Sequence, residues 1–385
     1  MKNILKIFGR IGLVAGVVIG VVIIFFYEYL IPEEIEYPVV EVEVVEENSL
    51  LARQLSMREM MSAITAWHYF ENYTDTITGV TSSFSNANII STGDISSYIL
   101  AIHSARKLGI ITPRQFNKRL ESLFTLCDSL KQSDEGIYFN EYSLDNFGVT
   151  DSSLISVFTA MELSSVLSSI VLNNTKFRGR AFNILTKVNT EKIIKHYKRK
   201  SEKNLINHEV YNLYIKTLQF PDSLLVTEKA ALSNGKLNFE NYFRFLLNNR
   251  FNKATELLTE EYLKLEQKYY ESDSLLPVFS TLHLGQKEQL NYKIDSDSVI
   301  TVVSRKDIVI ENTFITVGGA FVRLLLEDDD KSSILFNEVD DLYDQKNGWY
   351  EGVLNGTNET ITFLNMETNA SVINALCLKS FQNYY

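Results

Sequence analysis

Residues 94–130 read "DISSYILAIHSARKLGIITPRQFNKRLESLFTLCDSL": two apolar runs at helical spacing, with a glycine stop and a Thr-Pro start between them. Gly109 suits a helix end, because a residue without Cβ takes the left-handed conformation there at little steric cost. Thr112 offers a side-chain oxygen to the free N–H groups of the next helix, and Pro113 has the fixed φ of a first helical position. So short a connection marks two antiparallel helices. The same spacing runs from Ser49 to about Val188, and it resumes in residues 318–343 and in a last helix over 369–381. With 5 prolines and 17 glycines in 385 residues, the chain favours long helices over a loop-rich β architecture.

Helix-loop-helix units with long loops recur, without a short-period repeat. "LLARQLSMREMMSAITAWHYFENY" is a helix whose aromatic end (Trp67, Tyr69, Phe70) meets a Thr- and Ser-rich loop. Residues 200–270 read as mostly helical, and short strands are expected near residues 276–315 and 353–364. The fold reading is mainly α, a helical toroid with its loops gathered at one end. The stretch "NGWYEGVLNGT" is expected to hold Trp349, Tyr350 and Glu351 in a tight turn between two glycines.

Location is read from the N-terminus. Ile11 to Tyr27 carry no charge, Lys2, Lys6 and Arg10 precede them, and Glu28, Glu33, Glu34 and Glu36 follow. Residues 11–31 are therefore expected to be an uncleaved transmembrane anchor in a bacterial inner membrane. Residues 1–10 would be a basic cytoplasmic end and the main domain periplasmic or extracytoplasmic. Small residues of a signal-peptidase site are missing after Phe26. Residues 32–48 are acidic and read as an extended stem or an edge strand, and residues 49–385 as the toroid domain.

A formal charge of −11 argues against nucleic-acid binding, which needs clustered Lys and Arg. The basic run at 192–203 fits a solvated helix end. Cys127 and Cys377 lie in apolar helical patterns, as buried thiols or as a disulfide in an oxidising compartment. No Cys/His spacing fits a metal site, no cofactor is implied, and neither a P-loop nor a Gly-x-Ser-x-Gly elbow occurs.

Four segments resemble a known family. They are "AWHYFENYTDTITGV", "STGDISSYILAIHSARKLGIIT", "FTAMELSSVL" and "NGWYEGVLNGTNETITFLNMETNASVINAL". In order and spacing they are similar to the bacterial envelope domain of unknown function family 3131, whose relatives are glucoamylase-like (α/α) toroids. The resemblance implies carboxylates around a cavity at one end of the barrel. A proton donor and a base would flank a glycosidic bond, about 6.5–9.5 Å apart if the configuration inverts. Carried over by position, it implies Glu162, Glu351 and Asp94 as catalytic acids. Glu71, Trp349, Tyr350 and Asn369 would be substrate-binding residues.

All but Glu71 have a plainer role beside this one: Trp349, Tyr350 and Glu351 could instead close the core of a large helical domain. Asp94 suits a helix N-terminus, Glu162 an inward acid held by a neighbouring helix, Glu351 an exposed turn, and Asn369 a cap on the last helix. The chain departs from the family pattern at Gly93, where relatives carry Trp. It departs again at Glu162 with Ser164, where they carry Asp and Arg, and at Glu367-Thr368-Asn369, in place of Asn-Thr-Asn. The implied function is a membrane-anchored, outward-facing glycan-active protein, a glycoside hydrolase-like enzyme on an exported or cell-envelope polysaccharide. The alternative is a degenerate toroid serving as a glycan- or protein-binding scaffold in an envelope complex.

Overall fold

Several helices begin where the sequence supplies a cap. In the computed structural model, α1 (Met57–Asn72) follows Ser56, whose hydroxyl accepts from the Glu59 N–H while the Glu59 carboxylate accepts from the Ser56 N–H at 2.7 Å. Ser91 caps α2 (Thr92–Lys107), and Thr112 with Gln115 forms the box that opens α3 (Pro113–Ser129), as the Thr-Pro start predicts. Two further helices, α4 (Val157–Asn173) and α5 (Arg178–Leu185), follow. The apolar pattern of residues 318–343 is divided into α6 (Val317–Leu326) and α7 (Asp330–Val339), because Asp329 accepts from the Ser332 N–H at 2.8 Å and starts a new helix. The last helix, α8 (Met366–Ser380), begins three residues before Asn369, since Asn365 is its cap.

The structure describes residues 55–85, 88–150, 157–189, 289–293, 299–303, 314–326, 329–354 and 360–381, with isolated positions between. The expected anchor and stem, and most of residues 200–270, lie outside them. Among the described residues, no helix is long and apolar enough to cross a membrane.

Strands are short. Antiparallel pairs form between β1 (Ile89–Ser91) and β2 (Glu141–Ser143), and between β3 (Gln289–Lys293) and β4 (Val299–Val303). In a third sheet β7 (Gly348–Leu354) pairs with β5 (Phe314–Thr316), β6 (Tyr343–Asp344) and β8 (Thr360–Leu364). Trp349, Tyr350 and Glu351 thus sit inside a strand, not in the tight turn expected. Gly348, at φ +106°, ends the turn before it. Gly352 lets β5 approach so closely that a Cβ there would stand 2.0 Å from the Ile315 carbonyl oxygen.

Helices α2 and α8 are buried on nearly every side, whereas α3 buries one stripe, Leu120, Leu123, Phe124, Leu126 and Cys127. Ser97 donates to Glu367 and Ser104 to Asn374, both at 2.8 Å. Seven residues separate the members on each helix and the order is the same, so α2 and α8 run parallel. Helix α1 runs antiparallel to α8: Glu59 meets Lys379 at 3.0 Å, while Tyr69 and Asn369 both flank Gly348. Helix α8 packs against α1, α2 and α6, and α2 in turn against α4. The final helix joins the start of the domain to its end, as ring closure requires. Cys127 and Cys377 are both buried and are not joined by a disulfide.

Candidate functional site

The N-terminal ends of α2 and α8 meet at a short ribbon. Phe84 and Asn365 form an antiparallel bridge, flanked by bonds from the Met366 N–H to the Ser83 carbonyl (2.9 Å) and from the Ser85 N–H to the Leu364 carbonyl (3.1 Å). That pattern makes Phe84 and Asn365 a non-hydrogen-bonded pair, with side chains close together on one face. Ser83 alternates to the other face.

The two faces carry different acids. Behind the ribbon, Ser83 and Ser91 each donate a hydroxyl to Asp94 Oδ2 at 2.5 Å. Asp94 is 7% exposed and lies in the first turn of α2. On the Phe84 face, Glu351 Oε2 accepts from Asn365 Nδ2 and, at 2.7 Å, from Thr368 Oγ1. A β-bulge in β8 lies opposite this carboxylate. Tyr350 pairs with Leu364 and Gly352 with Ile361, so Thr362 and Phe363 together oppose Glu351. Glu351 is half-buried. A third acid, Glu367, is also half-buried and accepts from Ser97. Phe84 and Phe363, half-buried in turn, lie with ring centroids 5.1 Å apart and tilted by 41°.

The model of the family described as a protein of unknown function, DUF3131, matches residues 61–242 and 191–382. The chain belongs to DUF3131. No curated protein matches it. This DUF3131 chain does share its fold with solved structures. A β-1,2-glucanase from Parabacteroides distasonis superposes with TM-score 0.56 at 13% identity, over 84% of this chain and 56% of that one. An endo-β-1,2-glucanase from Chitinophaga pinensis, solved with sophorotriose and glucose, gives 0.55 at 8% identity over 85% and 93%. A glucoamylase-like protein from Bacteroides caccae gives 0.52 at 10% identity over 84% and 92%. The DUF3131 chain spans little more than half the length of the first of these. The fold is the glucoamylase-like one that the sequence resemblance implies.

Not every candidate reaches the Phe84 face of the ribbon. Trp349 is 2% exposed; its indole packs on Phe321 and Tyr343 and donates to the Ser62 carbonyl at 3.0 Å. Its ring fills the core and presents no stacking surface. Asn369 is fully buried: Oδ1 accepts from the Trp349 N–H at 2.8 Å, and Nδ2 donates to the Trp349 and Asn365 carbonyls. Its amide is committed to the backbone, so it neither caps the helix nor faces a ligand.

Tyr350 alternates to the opposite side of β7 from Glu351. Burial and the Asp344 charge raise its phenol above the usual range. Glu71 is exposed on the last turn of α1. Glu162, 1% exposed, lies within the helical layer on α4. Residues that the sequence reading missed are Asn365, Thr368, Glu367, Phe84 and Phe363. An Asn followed three residues later by Thr is a cap signal that could have found the first two.

Proposed function

We propose that this DUF3131 chain acts on a glycan at the Phe84 face of the ribbon, with Glu351 as the carboxylate that meets the ligand. The observation that carries the reading is the half-buried Glu351 carboxylate, steadied by Asn365 and Thr368 where β8 bulges opposite it, with Phe363 in that bulge and Phe84 against Phe363. The fold, shared with β-1,2-glucanases, makes a β-1,2-linked glucan the first substrate to try. Cleavage needs a second carboxylate across the scissile bond. Glu367 is the candidate for it nearest the Glu351 partners Asn365 and Thr368 in the chain; the two candidates from the sequence, Asp94 and Glu162, lie behind the ribbon and within the helical layer. The Ser97–Glu367 bond locks together the two helix ends that carry Asp94 and Glu367, so these two acids sit on rigid elements. The chain acts outside the membrane that its N-terminal segment spans, on an exported or envelope polysaccharide.

The test is product analysis by mass spectrometry. Full-length protein in detergent is incubated with β-1,2-glucan, other β-glucans, and acidic and amino-sugar polysaccharides. New oligosaccharides are expected from the parent and not from Glu351→Gln. Asp94→Asn and Glu162→Gln rank the second carboxylate. Silence from folded parent protein overturns the hydrolase reading.

A scaffold that binds glycan without cutting it is the second reading. It is favoured by Gly93, which leaves no ring where the family pattern has Trp, and by Asp94, whose Oδ2 already accepts two hydroxyls. Saturable binding without turnover would establish it.

A further inference from the structure

Phe84 and Phe363 are large apolar rings left only partly buried within a domain that buries Trp67, Trp349, Tyr69 and Phe70 almost completely. Strand geometry shows where they face. Phe84 lies directly opposite Asn365, so their side chains share a face, and Phe363, two residues before Asn365, is the diagonal neighbour on that same face. Asn365 holds Glu351, and Glu351 faces Thr362 and Phe363 across the bulge. Two rings, one amide and one carboxylate therefore converge on a single patch. The rings are tilted by 41°, so they form a shallow corner instead of closing face to face on each other.

We propose that Phe84 and Phe363 are the platform on which a sugar ring stacks beside Glu351; this rests on the glycan reading above. A pyranose has an apolar face of axial C–H groups and an equatorial belt of hydroxyls. The corner takes the face, and the Glu351 carboxylate accepts from a hydroxyl at the edge. A few placed polar groups beside an aromatic wall is the composition of a binding site, not of a solvated strand edge. The ligand class is a neutral glycan. A uronic-acid polymer would bring its carboxylate toward Glu351 and be repelled.

The experiment measures binding of sophorotriose and of β-1,2-glucan to the full-length protein, alongside product formation. Phe84→Ala and Phe363→Ala are expected to weaken binding by roughly tenfold or more each. Phe363→Tyr, which keeps a ring, should stay within about threefold of the parent. Phe363→Leu guards against misfolding, since it keeps apolar volume without a ring. Its melting temperature should match the parent while its affinity falls with the Ala variant's. Parent-like binding by Phe363→Leu and both Ala variants overturns the platform and leaves the functional reading standing. A folded parent that neither binds nor cleaves these glycans overturns both. Glu351→Gln that binds sophorotriose but makes no product supports the functional reading, and a fall in affinity on removing either ring supports the platform.

Discussion

Asn369 grips the backbone of Trp349 by both of its polar groups, accepting from its N–H at 2.8 Å and donating to its carbonyl at 3.1 Å. One side-chain amide on α8 thus does for β7 what a neighbouring strand would do, and the indole on that residue is carried into the core. Asn369→Ala leaves a buried N–H and C=O without these partners. It is expected to lower unfolding free energy by about 2–3 kcal/mol, read from urea denaturation. Asn369→Asp keeps the acceptor and loses the donors, so it should also fall below the parent.

Gly352→Ala should be among the most damaging single substitutions. The new methyl would stand 2.0 Å from a backbone oxygen of β5, which cannot swing aside as a side chain can. A loss of about 3 kcal/mol or more is expected, with poor soluble yield. Gly179→Ala in α5 is the contrast: its Cβ would meet nothing within 4 Å. A gain of up to about 1 kcal/mol is expected there from helix propensity.

Acid should unfold the domain through acids remote from the site. Burial works to raise the Glu59 carboxyl, but the Ser56 N–H and hydroxyl and the Lys379 ammonium hold it below its ordinary 4.5. Asp329 is likewise held below 3.8, against burial, by the Ser332 N–H and Arg323. The unfolded chain lacks these partners and takes up protons first as pH falls. Stability from both groups is therefore complete above about pH 4.5 and is lost as pH drops through the lower folded values. Urea midpoints at pH 7, 5, 4 and 3 should fall in that order below pH 5. Glu59→Gln should be weaker at pH 7 and lose less on acidification.

Cys127 should be chemically silent in the native protein. Burial pushes its thiol up to about 12, and the Asp128 charge adds to the effect, so almost no thiolate exists near neutrality. Iodoacetamide at pH 8 should leave it unmodified until denaturant is added. A non-reducing peptide map should show no link between Cys127 and Cys377.

What could be read from the sequence was whatever is decided within a few residues. Thr112-Pro113 starts a helix through its own hydroxyl and ring, and α3 begins there. The start of α8 was misplaced because Asn365 and Asn369 are both plausible caps. What separates them is that the Asn369 amide is drawn to β7, a long-range contact. The acidic run before Lys331 reads as continuing helix, and only the turn at Asp329 reveals a cap. Trp349 is the clearest case. A tryptophan beside an acid suits a sugar platform and a core equally well, and its contacts with Ser62 and Phe321 decide for the core. The platform rings were invisible for the converse reason, since a bulge between two strands sets which way Phe363 points. The pairing of β1 with β2 was missed because each strand has three residues and its partner lies far along the chain.

The Ser97–Glu367 bond joins residues 270 positions apart, and it fastens the two helix ends that frame the ribbon. During synthesis at about 5–20 residues per second, α2 is therefore made roughly 15–50 s before its partner exists. Over that interval its apolar faces, later covered by α8, must be shielded by other means. A nascent chain crossing a membrane would keep this region open to chaperones until α8 arrives. The site cannot assemble before α8 is made, and a chain that ends before α8 would lack Asn365, Glu367 and Thr368 and have no site at all.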